Sequence, residues 1–239
     1  MTNDHDDEAP PARDNQILTD AQVGKVIRAS REVDQDEEWD GDLFRLVVVL
    51  AATGARFSQA ARLRVGDCQP TRLLVPKSRK GRGKSGGSVP VPVGQDVIDA
   101  LRPVLNRPND APLLERWRHK QVPGGIEWHR AGRGAWQSAS ELLRPWAAIR
   151  ERAKLPDVVA YSLRHSSIVR GLKANLPIRL VAAMHDTSVA MIERHYSRWI
   201  AHGLEELAAA AVVPLVPQEK GGRGRADGAS PITVAGKAR

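Results

Sequence analysis

No uninterrupted apolar run in the 239-residue chain exceeds the seven residues Leu46 to Ala52 (LVVVLAA). A helical bilayer span needs about 20 such residues, so this run marks a segment that must be enclosed by protein rather than lipid. Its surroundings predict a mostly buried helix from about Asp42 to Ala52, ended by Gly54, the residue suited to a left-handed turn after a helix. The rest of the sequence must therefore supply a shell of amphipathic elements around this helix. With 41% hydrophobic and 27% charged residues, the composition is sufficient for that. It excludes a wholly disordered chain and a collagen-like one. Cys68 is the single cysteine and cannot form an intrachain disulfide. The acidic, proline-containing start MTNDHDDEAPPARD lacks the basic-then-apolar order of a secretory signal, so a cytoplasmic, reducing location with no membrane partner is the expectation.

The formal charge of +8 conceals a division. Residues 1–40 hold 12 acidic and 4 basic residues, and residues 41–239 hold 16 acidic and 32 basic, so an acidic leader at −8 precedes a body at +16. A body of that charge makes nucleic acid the first partner to consider. Residues 1–17 read as a disordered acidic tail, and residues 214–239, rich in Gly and small residues, as a flexible basic tail. The folded unit expected between them spans 18–213.

Within it, Thr19 or Asp20 caps a first helix that carries Val23, Val26 and Ile27 and runs to Val33. Ser58 can cap a third helix over Gln59 to Arg64. Two β-type runs, Arg72 to Pro76 and Ser88 to Val93, flank the basic loop Lys77 to Gly86, and Pro90 and Pro92 place the second run at a sheet edge. Helical patterns return at Gln95 to Leu105, Ala139 to Lys154, Tyr161 to Leu172 and Pro177 to Met184, and from Ser188 into an Ala-rich stretch near Leu204 to Val213. A connector containing Trp, Pro and Gly lies between the first two of these. The expected class is mainly α with a small antiparallel β-sheet (α+β).

Four separated features carry chemistry: Thr53-Gly-Ala-Arg56, the basic hairpin loop, Tyr161-Ser-Leu-Arg164-His165, and Met184-His185 followed eleven residues later by Tyr196. Two arginines from different segments can each bond non-bridging oxygens of one phosphodiester, a hairpin lysine can protonate a leaving oxygen, and a tyrosine hydroxyl can form a stable phosphoester. Taken singly, each has an ordinary structural role. Tyr196 reads as a core aromatic on an amphipathic helix, His185 as a helix C-terminal histidine, and the six tryptophans as core and interface aromatics.

Taken in order, Ala52-Thr-Gly-Ala-Arg56, Leu63-Arg-Val-Gly-Asp67, Leu163-Arg-His165, His185 and Tyr196 resemble the catalytic domain of the tyrosine recombinase, or phage integrase, family over roughly residues 18–205. The resemblance implies a DNA breaking-rejoining fold and cofactor-free, metal-free cleavage of double-stranded DNA through a 3′-phosphotyrosyl intermediate. It matches Arg56 and Arg164 to the family's two arginines, His185 to its late histidine and Tyr196 to its nucleophile. The hairpin acid is matched by Lys80, whose Lys-Gly turn suits the family best, or by Lys77 at the strand end. Lys77, Arg79, Arg82 and Lys84 are the DNA-contacting candidates. The family's His-x-x-Arg motif reads Tyr161-Ser-Leu-Arg164 here, a departure that bears on turnover more than on reaction type, and His165 is an auxiliary candidate. Relatives usually carry a separate N-terminal DNA-binding domain, for which only about seventeen residues remain before the first helix. The resemblance further implies assembly on DNA, as a tetramer in relatives, and a bacterial or phage-encoded, nucleoid-associated mobile-element protein. Two rivals stand beside it: a catalytically silent DNA-binding remnant, and a type IB topoisomerase.

Overall fold

The computed structural model describes residues 16–78, 86–200 and 208–213. At the centre of residues 16–200 is helix α2 (Asp42–Thr53), in which Leu43, Leu46, Val47 and Val49 are fully buried. Three successive valines are poor helix formers, but a helix apolar all round gains enough from burial to override that preference. Helix α1 (Asp20–Asp36) packs on it through Val23, Val26, Ala29 and Val33. Thr19 caps α1 reciprocally: its hydroxyl accepts from Gln22 N at 3.2 Å, and Gln22 Oε1 accepts from Thr19 N at 2.9 Å. The helix runs one turn beyond the expected Val33, and this extra turn has a use. The buried Asp34 carboxylate accepts from Gly41 N (2.6 Å) and Phe44 N (3.0 Å), capping α2 from the preceding helix where Gly41 has no side chain to do so.

Gly54 ends α2 as expected, in the left-handed region (φ 61°), with its N–H donating to Leu50 O at 3.0 Å. The next helix departs from expectation. Rather than running from Gln59 to Arg64 with Ser58 as cap, α3 is a single turn, Phe57–Ala60, with Arg56 at the cap position. Gln59 decides this, because its Oε1 turns back to accept from Arg56 N at 3.0 Å.

Strands β1 (Cys68–Gln69), β2 (Arg72–Pro76) and β3 (Ser88–Pro92) form an antiparallel sheet in that order. Leu73 opposes Val91 and Val75 opposes Val89, all four buried, so the alternation of buried and outward residues along the two strands sets the register. Pro90 and Pro92 lie outward on β3, at the edge. Helix α4 (Gln95–Leu101) then tightens into a 3-10 turn, Arg102–Val104, because Pro103 has no N–H to continue the ladder.

The connector is the largest departure. It contains an antiparallel hairpin, β4 (Glu115–Gln121) paired with β5 (Trp128–Ala135). Its strands read ERWRHKQ and WHRAGRGA, with no alternating apolar face to signal them. What holds the hairpin is charge and aromatic stacking. Arg118 pairs with Glu141 and Arg133 with Asp42, Trp117 Nε1 donates to Asp40 Oδ2 at 2.6 Å, and Arg130 and Arg133 lie 5.2 and 5.0 Å from the Trp117 ring. Trp39 and Trp136 stack at 5.7 Å beneath Arg116. Trp136, Trp146 and Trp199 are core residues, whereas Trp128, expected as a core or interface aromatic, is largely exposed.

The helix expected from Ala139 begins as a 3-10 turn, Ala139–Leu142, before α5 (Leu143–Arg152), since Pro145 fits only a first α-turn. Helices α6 (Ser162–Lys173), α7 (Ile178–Met184) and α8 (Val189–Ile200) enclose a second apolar cluster of Ile168, Val169, Leu172, Val181, Ala182, Ile192, Tyr196 and Trp199. Leu18 N donates to Ser166 Oγ at 2.8 Å, tying the start of the fold to α6. Among the described residues, no helix is long and apolar enough to cross a membrane. Of the Ala-rich stretch, residues 208–213 are described: one exposed helical turn. The two predicted tails fall almost wholly outside the described residues.

Candidate active site

The site forms where the end of α2, the start of α6 and the end of α7 converge. Gly54 makes the close approach possible: a Cβ there would lie 2.8 Å from the His185 ring and 2.8 Å from Ser167 Cβ. Arg164, in the first turn of α6, is 3% exposed. Its Nη1 donates to Gly54 O (2.7 Å) and its Nη2 to His185 O (2.6 Å). No carboxylate forms an ion pair with it among the described residues. Burial, together with the positive charge of Arg56, pulls its pKa below the ordinary arginine value. A buried cation fixed by carbonyls, with no ion-paired carboxylate among the described residues, is an arrangement that can accept an external anion.

Arg56, at the start of α3, is half-buried and donates from Nη1 to Ser78 Oγ (2.9 Å) and Asp186 O (3.1 Å). Asp186 organises this side. Its Oδ2 accepts from Ser78 N at 2.6 Å and Gln59 Nε2 at 3.1 Å. Burial works against its charge, but the Ser78 hydrogen bonds and the Arg56 field outweigh it and hold the carboxyl below the usual range. The root of the basic loop is thus pinned beside both arginines.

His185 ends α7 and is buried. Its Nδ1 lies 2.8 Å from Val181 O, an acceptor only, so the proton is on Nδ1 and Nε2 accepts from Ser167 Oγ at 2.9 Å. Burial, reinforced by Arg164 and Arg56 and opposed by the Val181 bond, lowers its pKa to about 4, so the ring is neutral at pH 7. Tyr196, on α8, is 6% exposed, and its hydroxyl lies 2.7 Å from His165 Nδ1. Burial and the neighbouring Tyr161 raise the phenol's pKa well above its ordinary value, against the pull of Arg164 and Arg56. Tyr161, exposed at the N-cap of α6, stands edge-on to His165 with ring centroids 5.0 Å apart. His165 is itself brought to about 4 by burial, Arg164 and His195.

Arg56, Arg164, His185 and Tyr196 therefore gather with Tyr161 and His165 from four helices. Lys77 is exposed at the strand end, its N–H bonded to Gly87 O at 3.1 Å. Lys80, Arg79, Arg82 and Lys84 lie outside the described residues. Sequence reasoning missed Ser167, Gln59, Ser78 and Asp186. Ser167 stands three residues after Arg164, on a neighbouring face of α6, which is a usable signal. Gln59, three residues after Arg56, and Asp186, directly after His185, carry the same kind of signal, whereas Ser78 has none, because it meets Arg56 from 22 residues away.

The backbone that assembles these side chains has the fold of the tyrosine recombinase catalytic domain. Three solved structures illustrate the likeness. The XerA recombinase superposes with a TM-score of 0.56 at 20% identity, over 84% of this chain and 65% of that one. The XerH site-specific recombinase in a pre-cleavage complex with its difH substrate gives 0.55 at 17%, over 81% and 54%. The catalytic domain of bacteriophage HP1 integrase gives 0.50 at 18%, over 81% and 93%. The chain spans under two thirds of the XerA and XerH chains. The sequence matches no family model and no curated protein.

Proposed function

We propose that this chain cleaves and rejoins double-stranded DNA at specific sites through a 3′-phosphotyrosyl intermediate. The observation that carries the reading is the buried Arg164 guanidinium, fixed between Gly54 O and His185 O, in no ion pair with a carboxylate among the described residues and within the field of Arg56. A scissile phosphate placed there receives two guanidinium groups, which stabilise the charge that grows on its non-bridging oxygens in the pentacoordinate state. Arg56 exchanges its Ser78 and Asp186 contacts for the phosphate. His185 contributes through Nε2, now shared with the Ser167 hydroxyl. Tyr196 attacks phosphorus, and Lys80, with Lys77 as the alternative, protonates the departing 5′-oxygen. XerH was captured with its difH substrate and the Tn1549 transposon integrase with transposon right end DNA, which supports DNA as the partner here. Self-association on DNA, a genetic role in a mobile element and a catalytic unit within 18–213 belong to the same proposal.

The test uses a pool of nicked duplexes of random sequence, whose cleavage releases a short strand and traps the covalent complex. A protein–DNA adduct on a denaturing gel, lost in Tyr196→Phe, is expected. An adduct that survives the substitution overturns the nucleophile, and no adduct from any duplex favours a silent DNA-binding protein. Relaxation of supercoiled plasmid without sequence preference favours the topoisomerase alternative.

A further inference from the structure

The proposed chemistry leaves one proton without a destination. Tyr196 is a buried phenol whose ionisation is suppressed by its surroundings, so it cannot wait as a phenolate and must lose its proton as it attacks. The imidazole of His165 is placed to take it. Successive residues on α6 project about 100° apart, so while Arg164 points at Gly54 and His185, His165 faces α8. Its Nδ1 is 2.7 Å from Tyr196 Oη, and the ring is fixed between the edge-on Tyr161 and the Tyr196 ring, 5.8 Å away. Position 161, where the family motif places a histidine, holds an exposed phenol that is itself a poor base.

We propose, on the reading of Tyr196 as nucleophile, that His165 is the proton acceptor for Tyr196 in cleavage and returns that proton in rejoining. In the forward step the Tyr196 Oη–P bond forms and the P–O5′ bond breaks. The phenolic proton passes to His165 Nδ1, and the O5′ electron pair takes a proton from the hairpin lysine ammonium. Rejoining reverses each transfer. The groups facing His165 are Arg164 and Tyr161 on its own side and Tyr196 and His195 from α8. Burial is the first cause of this imidazole's weak basicity and the Arg164 charge the second, and a phosphate bound at Arg164 offsets that second contribution when DNA is seated.

His165→Asn places a carbonyl oxygen near the Nδ1 position, keeping the hydrogen-bond acceptor while removing the base. On the duplex selected from the random pool by the unsubstituted protein, the variant's single-turnover cleavage should fall about 10²–10⁴-fold, with DNA affinity within about twofold. The defect should persist when a 5′-bridging sulfur replaces the leaving oxygen, since sulfur leaves without an acid. Cleavage within about threefold of the unsubstituted protein, or rescue by sulfur, overturns the assignment. Should the variant fail to fold by thermal unfolding, the sulfur duplex still tests it. There the cleavage rate of His185→Gln should rise with pH along an acid limb of unit slope, and a flat profile overturns the proposal. No adduct from the unsubstituted protein overturns the underlying reading instead.

Discussion

Gly54→Ala is the substitution whose cost the geometry defines best. Two penalties coincide there. A left-handed φ of 61° costs an L-residue about 1–2 kcal/mol. The new Cβ also meets the His185 ring and Ser167 Cβ at 2.8 Å, atoms locked by the Ser167–His185 and His185–Val181 hydrogen bonds, and forcing extra volume into such packing costs about 1–3 kcal/mol. Reduced freedom of the unfolded chain returns about 0.5–1 kcal/mol. The net loss should be about 3 kcal/mol, or about 1.5 M in the urea midpoint at a slope of about 2 kcal/mol per molar. Gly124→Ala supplies the control, because Gly124 has φ 75° but nothing within 4 Å of its added Cβ. It should lose only the conformational part, about 1 kcal/mol. Urea unfolding followed by tryptophan fluorescence measures both. Equal midpoint shifts in the two variants would refute the claim that His185 and Ser167 crowd Gly54.

Acid should destabilise the protein through its two buried imidazoles. His165 and His185 have folded-state pKa values of about 4, so between pH 6.5 and 4 the unfolded chain binds protons that the folded chain refuses. Stability is then full above pH 6.5 and declines as the pH falls through that window, by about 3 kcal/mol per histidine at most. Chemical unfolding at a series of pH values checks this, and a flat stability from pH 6.5 to 4 contradicts it. Asp34→Ala strips Gly41 N and Phe44 N of their acceptor and should cost about 2–4 kcal/mol in unfolding free energy, whereas Asp34→Asn, which keeps one acceptor oxygen, should cost less. Equal losses would deny the carboxylate its capping role.

Elements specified by local rules were legible in the sequence. The buried α2, a cap for α1 at Thr19 or Asp20, the turn at Gly54 and the two β-runs with prolines at the sheet edge each follow from a pattern of a few residues, and the structure has them, with Thr19 as the cap. The β4–β5 hairpin was not legible, because salt bridges and cation–π stacking to the α1–α2 turn hold it rather than an alternating apolar face. The start of α3 was set by a local contact, Gln59 Oε1 to Arg56 N, while the Gln59 amide's bonds to Pro76 O and Asp186 are contacts no local pattern encodes.

The same division runs through the candidate site. Sequence alone determined which residue types are available and their order: Arg56, Arg164 with His165, His185 and Tyr196 stand out because few residue types can bind a phosphate or carry it covalently. Tertiary structure decided their states. It buried Arg164 between two backbone carbonyls, turned His185 Nδ1 to Val181 O, and set His165 against the Tyr196 hydroxyl. Charge, tautomer and hydrogen-bond partner depend on desolvation and on groups as far as 130 residues away in the chain, and those are properties of the packed fold.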